Sequence, residues 1–187
     1  MSENLRRYTR ALYTLDAVAR RVPDDAWDEP SCCEGWTARE VAGHATWVIR
    51  NVGALTGANP APEPMAESAV AGDDPAGTIA EAVQATLAGL DQQGILQRVE
   101  ATPFGEMAVD DFIGVLWVDP LTHAWDLADA VGIDHGIDAA TARAAHASLQ
   151  AIDAAIRGRG RFADAIEIDT DDPVAQFVAF AGRTPVR

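Results

Sequence analysis

Three ionisable side chains fall where a helical pattern calls for apolar ones. His44 lies between Val41 and Val48, at i−3 and i+4 on one helix stripe. Asp119 and His123 take consecutive inward positions on a second stripe, with Phe112, Leu116, Leu127 and Ala130. An i, i+4 spacing stacks two side chains on one helix face, about 5–6 Å apart between Cβ atoms. A carboxylate and an imidazole at that separation can share one metal ion, and His44 from a facing helix completes a three-ligand set. Three protein ligands leave a coordination position open for water or substrate, the arrangement of a catalytic rather than a structural zinc. Nitrogen and oxygen donors suit Zn²⁺, and also Ni²⁺, Fe²⁺ or Mn²⁺. A plainer account fits the same residues: a core histidine with a hydrogen-bond partner, beside an intrahelical Asp119–His123 ion pair. Burying three such groups unpaired would cost several kcal/mol, which favours the metal.

Other residues near this set carry two readings each. Asp126 follows His123 by three positions, where a carboxylate can accept a hydrogen bond from a ligating imidazole and orient it. A salt bridge to an arginine such as Arg39 fits Asp126 equally well. Asn51, two turns beyond His44, either lines the pocket or serves a capping or solvent role. Cys33 precedes a helix start, where the helix dipole lowers a thiol pKa. A small buried residue packing the turn is the alternative for Cys33, and Cys32 carries no functional argument. Trp47, at i+3 from His44, can wall the pocket. Trp36, Trp117 and Trp125 lie in or next to the same helices and read as core. His135 and His146 read as solvated or packing residues.

The elements that must position these groups are helical. Leu5, Tyr8, Leu12, Leu15, Ala19 and Val22 step by three and four, predicting a helix that ends near Arg21, before Pro23. Thr37 and Glu40 form a T-x-x-E capping box. Val41, Ala45, Val48, Val52 and Leu55 then make an apolar stripe, stopped by Gly57, Asn59 and Pro60. Residues 58–75 are rich in Pro, Ala and acid and read as a long loop. A third helix is predicted from about Ala76 to about Arg98, and a fourth from about Val109 to Val131, ended by Gly132. Pro120 should bend the fourth helix. A fifth helix, about Ala139 to Ile156, carries Ala145, Leu149, Ile152 and Ile156 on one face. Residues 158–170 are glycine-rich and then extended, and a short helix covers about Pro173 to Ala181. With no convincing set of strands, the pattern is that of an all-α bundle.

Composition bounds the rest. The chain has 187 residues, the size of one domain, here residues 1–187. All 14 basic residues are arginines, set against 29 acids, for a net charge of −15. Such a surface excludes binding nucleic acid by phosphate neutralisation, argues against docking on anionic membranes, and disfavours highly anionic substrates. The absence of lysine excludes Schiff-base and P-loop lysine chemistry. The two cysteines are adjacent, so neither a disulfide framework nor a cysteine-based zinc site is expected. The polar N-terminus and the lack of a long apolar run point to a cytoplasmic protein without signal peptide or membrane span. A Lys-free, Ala-rich chain fits a GC-rich genome.

Two stretches carry a family resemblance. CEGWTAREVAGHATWV, Cys33 to Val48, resembles C-x-G-W-[TS]-x-x-[DE]-[LV]-x-x-H, a mark of the N-terminal metal-binding domain of mycothiol-dependent maleylpyruvate isomerases. DPLTHAWDLADAVG, Asp119 to Gly132, is similar to that group's D/E-x-x-x-H-x-W-D-L-A-x-A-x-G, and AQFVAFAGRTP, Ala175 to Pro185, to its terminal segment. The group lies in the DinB-like/YfiT-like superfamily. The resemblance implies an antiparallel four-helix bundle with additional C-terminal helices, and a metal, usually zinc, held by His44, Asp119 and His123. The isomerase has Glu where this chain has Asp119, a departure shared by a shorter subgroup. Members use a low-molecular-weight thiol such as mycothiol or bacillithiol, whose pKa a metal would lower. The isomerase also carries a second, C-terminal domain, whereas this sequence runs to Arg187, so maleylpyruvate isomerisation itself is not expected.

The leading expectation is a metal-dependent enzyme, zinc first and Ni²⁺ next. It would act with mycothiol or a similar thiol as an S-transferase or thiol-dependent isomerase on a small electrophile. One alternative is a hydrolase using water activated by the metal. Another is a non-catalytic metal- or ligand-binding protein, a sensor or stress protein. Partners are expected to be a small-molecule substrate and, on the superfamily's habit, a second copy in a homodimer.

Overall fold

In a computed structural model, residues 1–58, 60–157 and 162–185 are described, the side chains of residues 155 and 156 excepted. Asn59, Gly158, Gly160 and the Ile156 side chain therefore lie outside the described residues. Helix α1 spans Glu3–Ala19, and its N-cap Ser2 accepts a hydrogen bond from Leu5 N–H at 3.0 Å. It ends at Ala19, one turn before Pro23 and two residues short of the expected Arg21. Its stripe of Leu5, Tyr8, Leu12, Leu15 and Val18 is buried, as the three-four spacing requires. Helix α2 spans Ala38–Thr56 behind the Thr37–Glu40 capping box, and Gly57 closes it at φ +77°. Its buried stripe is Val41, Ala45, Ile49 and Val52, while Val48 and Leu55 are only half-buried. The true stripe runs to one side of the predicted one, which leaves His44 on its edge, partly open to solvent.

The loop expected over 58–75 contains a one-turn helix, α3, Glu67–Ala71. No periodicity can signal so short an element. It is set by packing against Gly43, where a Cβ would lie 1.8 Å from the Glu67 carbonyl oxygen. Helix α4, Pro75–Leu90, starts on Asp74, whose carboxylate accepts from Gly77 N–H at 2.9 Å. It stops eight residues short of the predicted Arg98. Gly94 adopts φ +81°, and a 3₁₀ turn, Ile95–Gln97, leads into strand β1, Val99–Thr102. Strand β2, Gly105–Ala108, pairs with β1 antiparallel, Val99 opposite Ala108. The hairpin departs from the strandless expectation; its residues are largely exposed, so no buried alternation marks it in the sequence.

The long fourth helix is two helices, α5 (Val109–Leu116) and α6 (Val118–Val131). The interruption falls at Trp117, not at Pro120 itself. Pro120 has no N–H to give to the Leu116 carbonyl four residues earlier, so the ladder opens one turn upstream of the ring. In the unit Met1–His135, α1 packs on α4, α5 and α6, and α2 packs on α3, α4 and α6. The ring α1–α4–α2–α6 is the four-helix bundle of an all-α, DinB-like fold. In the unit Gly136–Arg187, α7 (Ala139–Arg157) packs on α8 (Pro173–Phe180). Ala145 and Leu149 of α7 are buried. His146 tilts against Phe180 with ring centroids 5.1 Å apart, a packing role. No helix among the described residues is long and apolar enough to cross a membrane.

Candidate metal centre

The bundle brings α2 and α6 side by side, and with them the polar intruders of their stripes. The capping box fixes the first residue of α2 and so the register that places His44 two turns in. Trp36 lies against the His44 ring at a centroid distance of 5.0 Å. Trp47, the residue the spacing suggested as a wall, is 36% exposed. On α6, Asp119 sits in the first turn, where a carboxylate meets the positive end of the helix dipole. Pro120 is tolerated there because first-turn N–H groups have no intrahelical partner.

His44, Asp119 and His123 each present a ligand atom, and these atoms all lie within 4.8 Å of one another. The His44 and His123 rings meet edge to face at 5.1 Å. His123 Nε2 stands 3.7 Å from Asp119 Oδ2. Atoms bound at about 2 Å to one ion lie up to about 4 Å apart, so the three stand within a small adjustment of a shared cation.

A buried carboxylate orients the His123 ring. His123 Nδ1 is 2.9 Å from Asp126 Oδ2, inside a fully buried side chain. An ionised Asp126 only accepts, so Nδ1 donates there and Nε2 is the ring nitrogen turned toward Asp119. Asp119 Oδ1 is also buried and finds no hydrogen-bond donor among the described residues. Two imidazoles and one carboxylate, one of whose oxygens is buried without a donor, fit a divalent cation.

Asp126 thus stands where the sequence placed it relative to His123. Its alternative partner, Arg39, is engaged elsewhere, with Asp28 at 3.1 Å and the Gly72 carbonyl at 2.9 Å. Asn51 donates to the Trp47 carbonyl at 2.8 Å, which ties it to its own helix. His135 and His146 belong to no metal-capable grouping among the described residues.

Two features escaped the linear pattern. Cys32 Sγ donates to Asp126 Oδ1 at 3.2 Å, and Cys33 Sγ to Oδ2 at 3.4 Å. The hydrogen bond with Cys33, burial and the charge on Asp126 hold the Cys32 thiol far above the usual cysteine range. Nothing in the spacing ties residues 32 and 33 to residue 126. The second is Tyr8, read as a core residue of α1. It is fully buried, and its hydroxyl has no hydrogen-bond partner among the described residues. Burial first and the Asp119 charge second raise its pKa well above the tyrosine range. Its signal was available: a hydroxyl on a stripe that is otherwise aliphatic.

Residues 8–128 match the family model described as mycothiol maleylpyruvate isomerase N-terminal domain. Proteins from two strains of Mycobacterium tuberculosis, CDC 1551 / Oshkosh and ATCC 25618 / H37Rv, are each 31% identical over 183 residues. The alignment covers 96% of this chain and 97% of each relative, and both relatives are described as uncharacterized proteins. No solved structure matches the chain.

Proposed function

Because the chain belongs to the mycothiol maleylpyruvate isomerase N-terminal domain family, we propose that it is a metal-dependent enzyme of low-molecular-weight thiols. In this reading His44, Asp119 and His123 hold a divalent metal, zinc first among the ions that nitrogen and oxygen donors suit. A thiol such as mycothiol is the co-substrate, and a small electrophile receives it. The metal would supply Lewis-acid activation, favouring the thiolate form at neutral pH.

The convergence of three ligand atoms within 4.8 Å carries the reading. The chain's own residues do the rest. Asp126 keeps the proton on His123 Nδ1 and so keeps Nε2 available as a ligand. With both imidazoles bound as neutral ligands and Asp119 as the one anionic ligand, a divalent ion in this set would keep a net positive charge toward an incoming thiolate. His44 is half-buried on the edge of its stripe, so solvent reaches part of its side chain.

The test is thiol transfer. Zinc-loaded protein is mixed with mycothiol and an electrophilic bimane, and adduct formation is followed by fluorescence. The expected result is a rate above the uncatalysed one that falls at least tenfold in His44→Ala. A rate that zinc and His44→Ala both leave unchanged contradicts the proposal.

A further inference from the structure

A second grouping of metal-capable atoms adjoins the first. Cys32 Sγ, Cys33 Sγ and a carboxylate oxygen of Asp126 lie within 4.8 Å of one another. Adjacent residues on extended backbone send their side chains to opposite faces. Here both thiols reach one carboxylate, and the loop geometry is what brings them there. Ser31 N–H donates to the Trp36 carbonyl at 2.9 Å, Trp36 N–H to the Cys33 carbonyl at 3.0 Å, and Cys33 N–H to Ser31 Oγ at 3.1 Å. An isolated bridge between Pro30 and Thr37 closes the loop at its base. The loop is therefore built to present two sulfurs together against α6. Asp126 is fully buried, which fixes the oxygen side of the group, whereas Cys32 is exposed, which opens the sulfur side to solvent.

We propose that Cys32, Cys33 and Asp126 form a second cation site, selective for a soft divalent d¹⁰ ion of the zinc–cadmium class. Two sulfurs and one oxygen are the donors such ions prefer over hard, oxygen-seeking ones. Binding breaks two S–H bonds and forms two metal–sulfur bonds; both protons leave to solvent, and nothing is oxidised or reduced. Three negative ligands against a divalent ion leave one negative charge. This site does not depend on thiol transfer, and separate variants address the two.

Cadmium reports the site directly, because thiolate ligation gives an ultraviolet sulfur-to-cadmium charge-transfer band. Cys32 and Cys33 are the chain's two cysteines, so the band has one possible source within a chain. Reduced full-length protein is titrated with cadmium chloride, alongside His44→Ala and the double variant C32S/C33S. The expected band saturates at one thiolate-bound cadmium per chain in wild type and in His44→Ala, with native mass spectrometry counting the cadmium ions per chain. It is lost in C32S/C33S. Cadmium bound to wild type without the band overturns the proposal, and that result needs no variant to fold. So does a band that saturates at one cadmium per two chains, or one that His44→Ala removes.

Discussion

His123 Nδ1 and Asp126 Oδ2, 2.9 Å apart and one helical turn apart on α6, decide which imidazole nitrogen faces the candidate metal position. Asp126→Asn keeps the shape and changes the acceptor. Loss of such an orienting carboxylate typically lowers metal affinity about 10–100-fold. That range is the expected loss in zinc affinity, measured by chelator competition in the C32S/C33S background so that only the His44–Asp119–His123 group is read. An affinity unchanged by the substitution contradicts the tautomer argument.

Gly43 is where α2 lets the backbone of α3 approach. A Cβ there meets the Glu67 carbonyl oxygen at 1.8 Å, and the obstacle is main chain, which cannot rotate away. Gly43→Ala should destabilise the fold by about 1–3 kcal/mol, the usual range for overpacking. Urea unfolding checks it: a lower midpoint at unchanged slope is expected.

The start of α2 carries an acid-sensitive element. Glu40 accepts from Thr37 N–H at 2.8 Å, and its hydrogen bonds with Thr37 hold its carboxyl below the usual glutamate range. A lowered folded value means a contribution present above the ordinary glutamate pKa and lost as pH falls through the folded one. Thermal stability should therefore drop on acidification below about pH 4.3, less steeply in Glu40→Gln. Thr37→Ala should cost about 1 kcal/mol at neutral pH.

Tyr8 offers the opposite sign. Burial and the Asp119 charge raise its pKa, so its contribution is intact below the ordinary tyrosine value and is lost as pH rises beyond it. The wild type should lose stability above about pH 10, and Tyr8→Phe should lose less. At neutral pH, Tyr8→Phe should be more stable by about 1 kcal/mol, because it removes a buried hydroxyl with no hydrogen-bond partner among the described residues. Melting curves at pH 7 and pH 10.5 test both statements.

The elements most visible in the sequence are those that obey one local rule. The stripe of α1 and the Thr37–Glu40 cap are such cases, and the helical spacing of Asp119 and His123 is another. Elements fixed by tertiary contact were invisible: α3 forms against Gly43, and the β1–β2 hairpin has no buried face to advertise it. Pro120 was read as the bend, but the missing hydrogen bond shows itself at Trp117, one turn earlier. At the site, the i, i+4 pair was legible because both members share a helix. The tie between Cys32, Cys33 and Asp126 was not, because it spans 94 and 93 residues and depends on how one loop folds back. Tyr8 left a weaker trace, since its ring obeys the apolar stripe and only its hydroxyl breaks it.

The central claim is that His44, Asp119 and His123 hold a metal. The most direct measurement is metal content by inductively coupled plasma mass spectrometry, on C32S/C33S protein with and without His123→Ala. About one zinc-class ion per chain, lost on His123→Ala while the helical circular dichroism persists, is the expected result. Equal metal in both proteins, or none in either after zinc is offered, contradicts it.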